Sequence, residues 1–481
     1  MCGVFGVYFP KASGSQAFPY ILNGLTVLQH RGQDSAGIST YEGEDKHPSS
    51  KKGLGKVEKV FDGYPGTLGK FGVGHIRYCT AGKVDVESAQ PLEINGISLV
   101  HNGNLTNVED LVYHMTNTIP TLSTSDSVIL LRIFELAYNR NKDLTNSMER
   151  IYKSVQEVMT RCQGSFSVVM AIPEIGLVAF RDPRGIRPLC FGSIDSGGYA
   201  VSSESVAIPD CSAEDIRAGE CVIMSESGVQ RRQIVDNAVK TPCLFEYIYF
   251  ARPESTIDGI LVYQARKNMG EALALKMLRD NPDLVGTIDV VMPVPDSGRI
   301  SALRASYVLQ KPYCEGLIKN NYVGRTFIMP SQTERKRSLK MKLNTIDQEF
   351  RDKTALIIDD SIVRGNTSIQ IVDLIRNAGA KQIIFASIAP PVVNPNIYGI
   401  AIPSADELIA SRNKTRDEIG KNAVLEDGGV RRITGDCLQS KVIARLIGAD
   451  EVIYNTLDDV VEACRKINPN IHEFETSCFS V

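Results

Sequence analysis

The spacing of apolar segments changes near residue 235, and this change constrains the fold more than any other feature of the sequence. Before it, short apolar runs between turn residues predict strands, and two helical patterns interrupt them at Ser127–Tyr138 and Asn146–Cys162. After about residue 260, helical and strand patterns alternate. Clustered strands favour an α+β layered domain, whereas alternation favours an α/β parallel sheet that is doubly wound by helices.

The predicted boundary separates two domains, residues 2–235 and 236–481. The strands predicted for the first are Gly3–Tyr8, Gly72–Ile76, Ser98–His101, Ser165–Ala171, Gly176–Arg181, Leu189–Ile194 and Gly198–Ser202. The second is predicted to contain helices Tyr263–Arg279, Arg299–Leu309 and Thr367–Ala378 and strands Asp289–Val294, Glu315–Ile318, Thr354–Ile358 and Gln382–Ile388.

Charge and cysteine content limit the possible partners and the compartment. The 53 basic and 56 acidic residues give a net charge of -3, so we expect no nucleic acid or membrane partner and only locally built anion sites. Eleven scattered cysteines without a CxxC pair are typical of reduced thiols and indicate a cytoplasmic protein. The sequence shows no leader at its start and no apolar run of about 20 residues, so we expect neither export nor a membrane span.

The first candidate catalytic residue is Cys2, which follows Met1 directly. Removal of Met1 would leave a free α-amine, and such amines have a pKa of about 7.7–8.0. That amine could act as the base for the neighbouring thiol, so one residue would supply both nucleophile and base. By itself, however, a cysteine at position two is more often simply a small apolar residue at the start of the chain, without a catalytic role.

Further motifs carry groups that suit an amino-acid substrate. These four motifs occupy residues 28–37, 74–82, 101–105 and 124–127. Arg77 can bind an α-carboxylate and Asp126 an α-ammonium, while the Asn102 amide and the Gly103 N–H can form an oxyanion hole. Each motif alone is also compatible with a capped turn or a surface ion pair. Together with a thiol, they predict an amidase that acts on a free amino acid such as glutamine.

In the second half, an apolar strand ends in Asp359 and Asp360, and a glycine-containing loop leads to a helix at Thr367 and Ser368. The N–H groups at a helix start can cradle a phosphate, and the paired carboxylates suit ribose hydroxyls and a hydrated Mg²⁺ ion. The Gly-Lys-Ser/Thr of a Walker loop is absent, so a different class of phosphate site is indicated.

Residues 2 to about 230 resemble the glutaminase domain of the N-terminal-cysteine (Ntn) glutamine amidotransferases. The resemblance depends on five motifs in order: Cys-Gly, Gln-His-Arg-Gly-Gln-Asp, His-x-Arg-Tyr, His-Asn-Gly-Asn and Ser-Asp-Ser. It implies an αββα sandwich with Cys2 as nucleophile and Asn102 and Gly103 as the oxyanion hole. The glutamine-binding residues that it implies are Arg31, Gly32, Arg77, Gly103 and Asp126.

The second half resembles the type I phosphoribosyltransferases, with residues 355–368 as the signature that binds phosphoribosyl pyrophosphate (PRPP). Val294–Gly298 resembles the pyrophosphate loop, and Lys319–Asn344 resembles the mobile loop of that family. The implied PRPP-binding residues are Asp296, Ser297, Lys319, Arg325, Lys336, Asp359, Asp360, Ser361, Arg364, Gly365, Asn366, Thr367 and Ser368. The resemblance also implies Mg²⁺ as cofactor, held by Ser297, Asp359 and Asp360.

Both halves together, joined through Leu244–Pro253, resemble the amidophosphoribosyltransferase family. This implies that glutamine, PRPP and water give 5-phosphoribosylamine, pyrophosphate and glutamate, the first step of purine synthesis. It also implies a homodimer or homotetramer and feedback inhibition by purine nucleotides. Some members carry an iron–sulfur cluster. Here Cys243 matches one ligand position but Asn396 stands near another, so no cluster is expected.

The chain departs from the family pattern at several positions. Cys79 replaces a usual Pro, Arg184 a usual Asn, Asn321 a usual Arg and Asn366 a usual Thr, and the segment 412–439 reads as an insertion. Loss of a positive charge at Asn321 and the change at Asn366 favour an alternative, a catalytically weakened paralogue that acts as a regulatory or binding subunit. The intact residues of both candidate sites favour an active enzyme.

Overall fold

The computed structural model describes residues 2–42, 47–78, 85–115, 125–208, 213–320, 343–400, 404–411 and 435–479, the last with side chains from residue 439. Arg325, Lys336, Cys79 and Asn321 lie outside these ranges, as does most of the segment 412–439. No helix within the described ranges combines the length and the apolar character needed to cross a lipid bilayer.

The first half is a sandwich of two antiparallel sheets. Its strands are β1 Gly3–Tyr8, β2 Ser35–Tyr41, β3 Ser49–Leu54, β4 Phe71–Arg77, β5 Leu92–Ile94, β6 Ile97–Leu105, β7 Gly164–Ile172, β8 Gly176–Arg181, β9 Cys190–Ile194, β10 Gly198–Ser202, β11 Glu214–Asp215, β12 Glu220–Ser225 and β13 Gly228–Gln233. In the described chain the first sheet has the order β11-β9-β10-β1-β4-β2-β3 and the second the order β13-β12-β8-β7-β6-β5. Alternate residues such as Val4, Val73 and Val169 fill the space between the sheets.

Helices cover both outer faces of this sandwich. The helices are α1 Ala17–Val27, α2 Val57–Val60, α3 Val108–Met115, α4 Asp126–Arg140 and α5 Ser147–Arg161. Apolar residues of α1 and α2 pack on the first sheet, and those of α3, α4 and α5 pack on the second. The Asn146 side chain begins α5 by accepting hydrogen bonds from the N–H groups of Met148 (3.0 Å) and Glu149 (3.3 Å). The αββα layers confirm the predicted fold of this half.

The second half contains a parallel sheet with helices on both faces. Its strands are β14 Thr256–Ile257, β15 Ile260–Leu261, β16 Val290–Pro293, β17 Leu317–Lys319, β18 Leu343–Thr345, β19 Thr354–Asp359, β20 Gln382–Ser387 and β21 Glu451–Tyr454. Its helices are α6 Val262–Asp280, α7 Pro282–Thr287, α8 Arg299–Leu309, α9 Asp347–Phe350, α10 Asn366–Asn377, α11 Gly435–Ile447 and α12 Leu457–Arg465. Strands β16-β19-β20-β21 form the parallel sheet, with α6, α8 and α12 on one face and α10 and α11 on the other. The doubly wound prediction is confirmed.

One predicted strand lies elsewhere. Glu315–Ile318 was expected in the alternating pattern of the parallel sheet, but the observed β17 pairs antiparallel with β18 in a separate ribbon. The reason is burial, because Leu317 is buried whereas Ile318 and Lys319 are exposed. A short strand of this kind cannot fill a position that is covered by helices on both faces.

The two halves share a buried interface. Ile186 of the first half belongs to the same apolar cluster as α6 and α8. The Arg181 guanidinium, fully buried, binds both carboxylate oxygens of Asp258 at 3.0 and 3.1 Å. A bidentate pair of this geometry fixes the orientation of the halves as well as their distance.

Candidate functional site

Cys2 lies where the two sheets of the sandwich meet. It precedes β1 of the first sheet, and its backbone nitrogen is 3.4 Å from Oδ1 of Asn102 in β6 of the second sheet. The Cys2 thiol is 3.8 Å from the carbonyl oxygen of Tyr78, and its own carbonyl accepts a hydrogen bond from Nε of Arg31 at 2.9 Å. The fold therefore brings the predicted nucleophile and the predicted oxyanion residue together across 100 residues of sequence.

The Asn102 side chain carries an unused donor. Asn102 is 1% exposed, and its Nδ2 has no hydrogen-bond partner in the described residues. A buried donor without a partner costs about 1–3 kcal/mol, so it is retained where a ligand can accept from it. The next residue must be glycine, because Gly103 has a φ of +151° and a Cβ there would lie 2.0 Å from the Ser165 carbonyl oxygen. This geometry suits a donor for a developing oxyanion.

Other predicted glutamine-binding residues lie on elements next to Cys2 and Asn102, since β4 pairs with β1 and Asp126 contacts Leu105 of β6. Arg77 ends β4, and its guanidinium donates to the Ser88 hydroxyl. Gly32 packs against it so closely that a Cβ would lie 2.6 Å from the Arg77 carbonyl carbon. Asp126 begins α4 and accepts hydrogen bonds from the N–H groups of Ser127 (2.7 Å) and Leu105 (3.4 Å). Their contact with glutamine stays a prediction.

Arg31 differs from these residues because its guanidinium is buried and already bound to two carboxylates. It is 3% exposed, and its guanidinium donates to Glu204 at 2.5 Å and to both carboxylate oxygens of Glu246 at 2.8 and 3.0 Å. Burial alone would raise the pKa of Glu204, but Arg31 and His30 hold it well below its usual range. With these contacts and its bond to the Cys2 carbonyl, Arg31 holds Cys2, the predicted nucleophile, in place. Direct binding of glutamine by Arg31 stays a prediction.

Sequence reasoning missed several residues beneath the site. Glu204 belonged to no motif and Glu246 had no role assigned within the junction Leu244–Pro253, so only their position beside Arg31 in the fold reveals them. His75 and His101 are also buried, and burial lowers the pKa of both rings, that of His75 to about 3. His101 Nδ1 lies 3.0 Å from the Ser127 hydroxyl, whereas neither His75 nitrogen has a partner in the described residues. Both imidazoles are therefore neutral at physiological pH.

The second site lies at the carboxyl edge of the parallel sheet. The adjacent strands β16 and β19 end together, with Pro293 opposite Ile358. The predicted pyrophosphate loop follows at once and is held to β19, since the Val294 N–H donates to the Ile358 carbonyl at 2.9 Å. Gly298 is required there, because a Cβ would lie 2.3 Å from that same oxygen. The peptide bond between Pro295 and Asp296 is cis.

Two buried carboxylates end β19 beside this loop. Asp359 and Asp360 are 7% and 8% exposed. Burial, followed by the charge of Asp360, raises the pKa of Asp359 well above its usual range. Burial also raises the pKa of Asp360, although hydrogen bonds from Ser297 and Ser361 oppose this rise. Two neighbouring buried carboxylates of this kind can bind a cation and can accept hydrogen bonds from ribose hydroxyls.

The loop after the acidic pair turns into α10. Gly365 adopts a φ of +79°, and no side chain of the described residues caps the helix start. The first N–H groups of α10 are therefore oriented as an anion cradle, with Asn366 and Thr367 exposed and Ser368 buried beside them. Asn366 supplies the same backbone donor as the Thr that it replaces.

The remaining predicted PRPP ligands of the described residues lie at the rim of the site. The Lys319 ammonium is 2.6 Å from a carboxylate oxygen of Asp296 in the pyrophosphate loop. Arg364 forms an exposed ion pair with Glu407 at 2.7 Å. The structure therefore places Asp296, Ser297, Lys319 and residues 359–368 around one sheet edge.

Comparisons with known proteins agree with both halves. The family described as glutamine amidotransferase domain matches residues 76–210, and the family described as phosphoribosyl transferase domain matches residues 259–394. The amidophosphoribosyltransferase of Escherichia coli K12 is 42% identical over 495 residues, which cover 100% of this chain and 92% of that protein. The amidophosphoribosyltransferase of Schizosaccharomyces pombe is 41% identical over 506 residues, which cover 100% and 90%.

Solved structures give the same result over the whole chain. The glutamine PRPP amidotransferase from B. subtilis, complexed with ADP and GMP, aligns with a TM-score of 0.81 at 32% identity and covers 100% of this chain and 96% of its own. A structure described as the allosteric regulatory enzyme of purine biosynthesis aligns with a TM-score of 0.82 at 32% identity and covers 100% and 95%.

Proposed function

Because the chain belongs to the amidophosphoribosyltransferase family, we propose that the Cys2 site releases ammonia from glutamine and that the Asp359 site transfers it to PRPP. The activity is that of a glutamine-dependent amidophosphoribosyltransferase, which forms 5-phosphoribosylamine, pyrophosphate and glutamate. The relatives support this activity and not the alternative of a regulatory or binding subunit. The observation that carries the residue assignment is the buried Asn102 Nδ2 beside Cys2, which has no hydrogen-bond partner among the described residues.

In the first half-reaction, the Cys2 thiol would attack the side-chain amide of glutamine after removal of Met1. The α-amine of Cys2 takes the thiol proton and returns it to the departing ammonia. Asn102 Nδ2 and the Gly103 N–H hold the oxyanion, while Arg77 and Asp126 bind the α-carboxylate and the α-ammonium. Water then hydrolyses the thioester, which releases glutamate and restores the thiol.

In the second half-reaction, ammonia replaces the pyrophosphate of PRPP at the ribose. The N–H groups at the start of α10 bind the 5-phosphate, and the loop Val294–Gly298 with Lys319 orients the pyrophosphate. The carboxylates of Asp359 and Asp360 bind the ribose hydroxyls and stabilise positive charge at the ring. Ser297, Asp359 and Asp360 would hold Mg²⁺, which, when bound, lowers the charge of the departing pyrophosphate.

Domain boundaries, assembly, regulation and location are also part of the proposal. We place the boundary between residues 235 and 236 and expect a homodimer or homotetramer. Purine nucleotides should inhibit the enzyme, which is supported by the ADP and GMP bound to the B. subtilis relative. A cytoplasmic location is supported by the eleven scattered cysteines without a CxxC pair, a pattern typical of reduced thiols.

The test is replacement of Cys2 by serine. The weaker nucleophile should reduce glutamine-dependent synthesis by several orders of magnitude, while ammonia-dependent synthesis from PRPP should persist. Product formation is measured with glutamine and then with ammonium as nitrogen source. Mass spectrometry should show the unmodified chain beginning at Cys2. Equal loss of both activities would contradict the two-site assignment, and an unmodified protein inactive with both nitrogen sources would refute the function.

A further inference from the structure

A segment of the second half lies against the oxyanion strand of the first. We call residues 394–399, which follow β20, the strap. The Asn104 amide donates to the strap carbonyl of Ile397 at 2.8 Å, and the Ser165 hydroxyl donates to the carbonyl of Tyr398 at 2.9 Å. Gly399 packs on Gly103, whose carbonyl oxygen would lie 3.1 Å from a Cβ at Gly399. The strap therefore contacts the two strands, β6 and β7, that shape the oxyanion hole.

Two arginines of the first half bind the same strap residue. The guanidinium of Arg187 donates to the Tyr398 carbonyl through Nε at 2.9 Å and Nη2 at 2.5 Å. Arg187 also contacts Glu246 at 3.4 Å, and Glu246 binds the Arg31 that supports Cys2. Arg184 donates to the Tyr398 hydroxyl at 3.2 Å, so this departure from the family pattern finds a partner in the strap.

The conformation of the strap depends on Asn396. Its Oδ1 accepts hydrogen bonds from the N–H groups of Tyr398 (2.9 Å) and Ile400 (3.2 Å), and its Nδ2 donates to Glu475 at 3.2 Å. Asn396 is 8% exposed, so water does not compete strongly for these bonds. One side chain thus holds the turn that presents Tyr398 and Gly399 to the first half.

The segment that precedes the strap contacts the PRPP site. The chain that leads into it begins with hydrogen bonds from Ile388 N–H to the Asp359 carbonyl (3.1 Å) and from Ala389 N–H to the Asp360 carbonyl (3.0 Å). A second route runs through residues 408–411. Ile409 N–H donates to Val363 at 2.9 Å in the PRPP loop, and the Ser411 hydroxyl donates to the Val393 carbonyl beside the strap.

We propose that the strap positions the oxyanion strand, with Asn396 as its positioning residue, and that PRPP binding at the acidic loop acts on glutamine hydrolysis through this segment. The proposal rests on the proposed function. Asn396 touches neither substrate in this scheme, and it acts through Tyr398 and Gly399 on Gly103. A displacement of about 1 Å at a catalytic group can reduce turnover about 100-fold, so a modest loosening of the strap is sufficient.

The experiment compares Asn396→Ala with the control Ile397→Ala. The Ile397 side chain is 53% exposed and only its backbone carbonyl is used, so its removal should change neither activity. Asn396→Ala should lower kcat for glutamine hydrolysis in the presence of PRPP about 10- to 100-fold, with KM for glutamine within about threefold. Ammonia-dependent synthesis should stay within about twofold, because the acidic loop is unchanged.

A rescue variant separates positioning from general stability. The single variant Asn396→Asp places a carboxylate against Glu475 and should reduce glutamine hydrolysis. In the double variant Asn396→Asp with Glu475→Gln, the donor is at position 475 and the acceptor at position 396, so the hydrogen bond can form again in the opposite direction. The double variant should recover hydrolysis. Failure of this recovery, unchanged hydrolysis in Asn396→Ala, or equal loss of both activities in it would each overturn the proposal.

A measurement on the unmodified protein covers the case in which a variant fails to fold. PRPP with Mg²⁺ should slow amide hydrogen exchange in residues 394–400, 101–105 and 164–167. Unchanged exchange in those segments would overturn the proposed role of the strap while both activities persist. Absence of both activities would instead refute the proposed function.

Discussion

Replacement of Asn102 by alanine should separate catalysis from stability. The change removes the buried Nδ2 that has no partner in the described residues, together with the 3.4 Å contact between Oδ1 and the Cys2 nitrogen. In the proposed reaction Nδ2 gains its partner only when the glutamine carbonyl becomes an oxyanion. The loss should therefore fall on the transition state and not on the folded protein.

The expected effect of Asn102→Ala on kcat is much larger than its expected effect on stability. Loss of one oxyanion donor lowers kcat by about 10²–10³, which corresponds to about 2.7–4 kcal/mol. The stability change should be within about 1 kcal/mol, because loss of the unpaired donor offsets loss of the weak contact to Cys2. For a domain of this size that corresponds to a shift of at most about 4 °C in melting temperature.

Asn107 provides a matched control five residues further along the chain. Its Nδ2 donates to the Arg161 carbonyl at 2.9 Å, and its Oδ1 accepts from the Gln163 N–H at 3.0 Å. Asn107→Ala should cost about 1–3 kcal/mol of stability from these two bonds and leave kcat for glutamine hydrolysis unchanged. Steady-state hydrolysis and thermal melting are measured for both variants. A large melting shift in Asn102→Ala with normal kcat would refute the oxyanion assignment.

Three further predictions concern Gly103, the acidic pair Asp359 and Asp360, and His75. Gly103→Ala should abolish glutamine hydrolysis and lower the melting temperature, because its Cβ would lie 2.0 Å from the Ser165 oxygen at a φ of +151°; normal hydrolysis would contradict this. Asp359→Asn with Asp360→Asn should abolish synthesis from both nitrogen sources and spare basal hydrolysis, so unchanged turnover with PRPP would remove these residues from the site. The pKa of His75 is about 3 in the folded protein and about 6.5 in the unfolded chain. The free energy of unfolding is therefore highest above pH 6.5 and decreases as the pH falls below that value. The variant His75→Leu lacks this titration, so between pH 6.5 and 5 it should lose about 2 kcal/mol less stability than the unmodified protein, as measured by thermal melting. Parallel pH profiles of the two proteins would argue against a neutral buried His75.

Both folds and most strand positions were predictable because periodicity is a local property of the sequence. Helix Arg299–Leu309 and strand Gly176–Arg181 have the predicted bounds. The ribbon of Leu317–Lys319 could not be predicted, since pairing partners depend on tertiary contacts. Motif residues such as Cys2 and Asp359 could be proposed from the sequence because their chemistry is unusual at those positions. Glu204, Glu246 and the strap have ordinary local sequences, and their importance arises only from residues distant in the chain.

The charges beneath Cys2 indicate why such residues are retained. Arg31 and Arg187 meet Glu204 and Glu246 in a buried network, and apolar residues of similar volume could stabilise a protein interior equally well. Apolar contacts, however, have no preferred direction, whereas a guanidinium that binds two carboxylates and one carbonyl fixes that carbonyl in space. Arg31 fixes Cys2 in this way, and Arg187, which binds one carboxylate and the Tyr398 carbonyl, fixes the strap. Since Glu246 binds both arginines, Cys2 and the strap share one buried anchor, and a displacement of either must strain the bonds of the other.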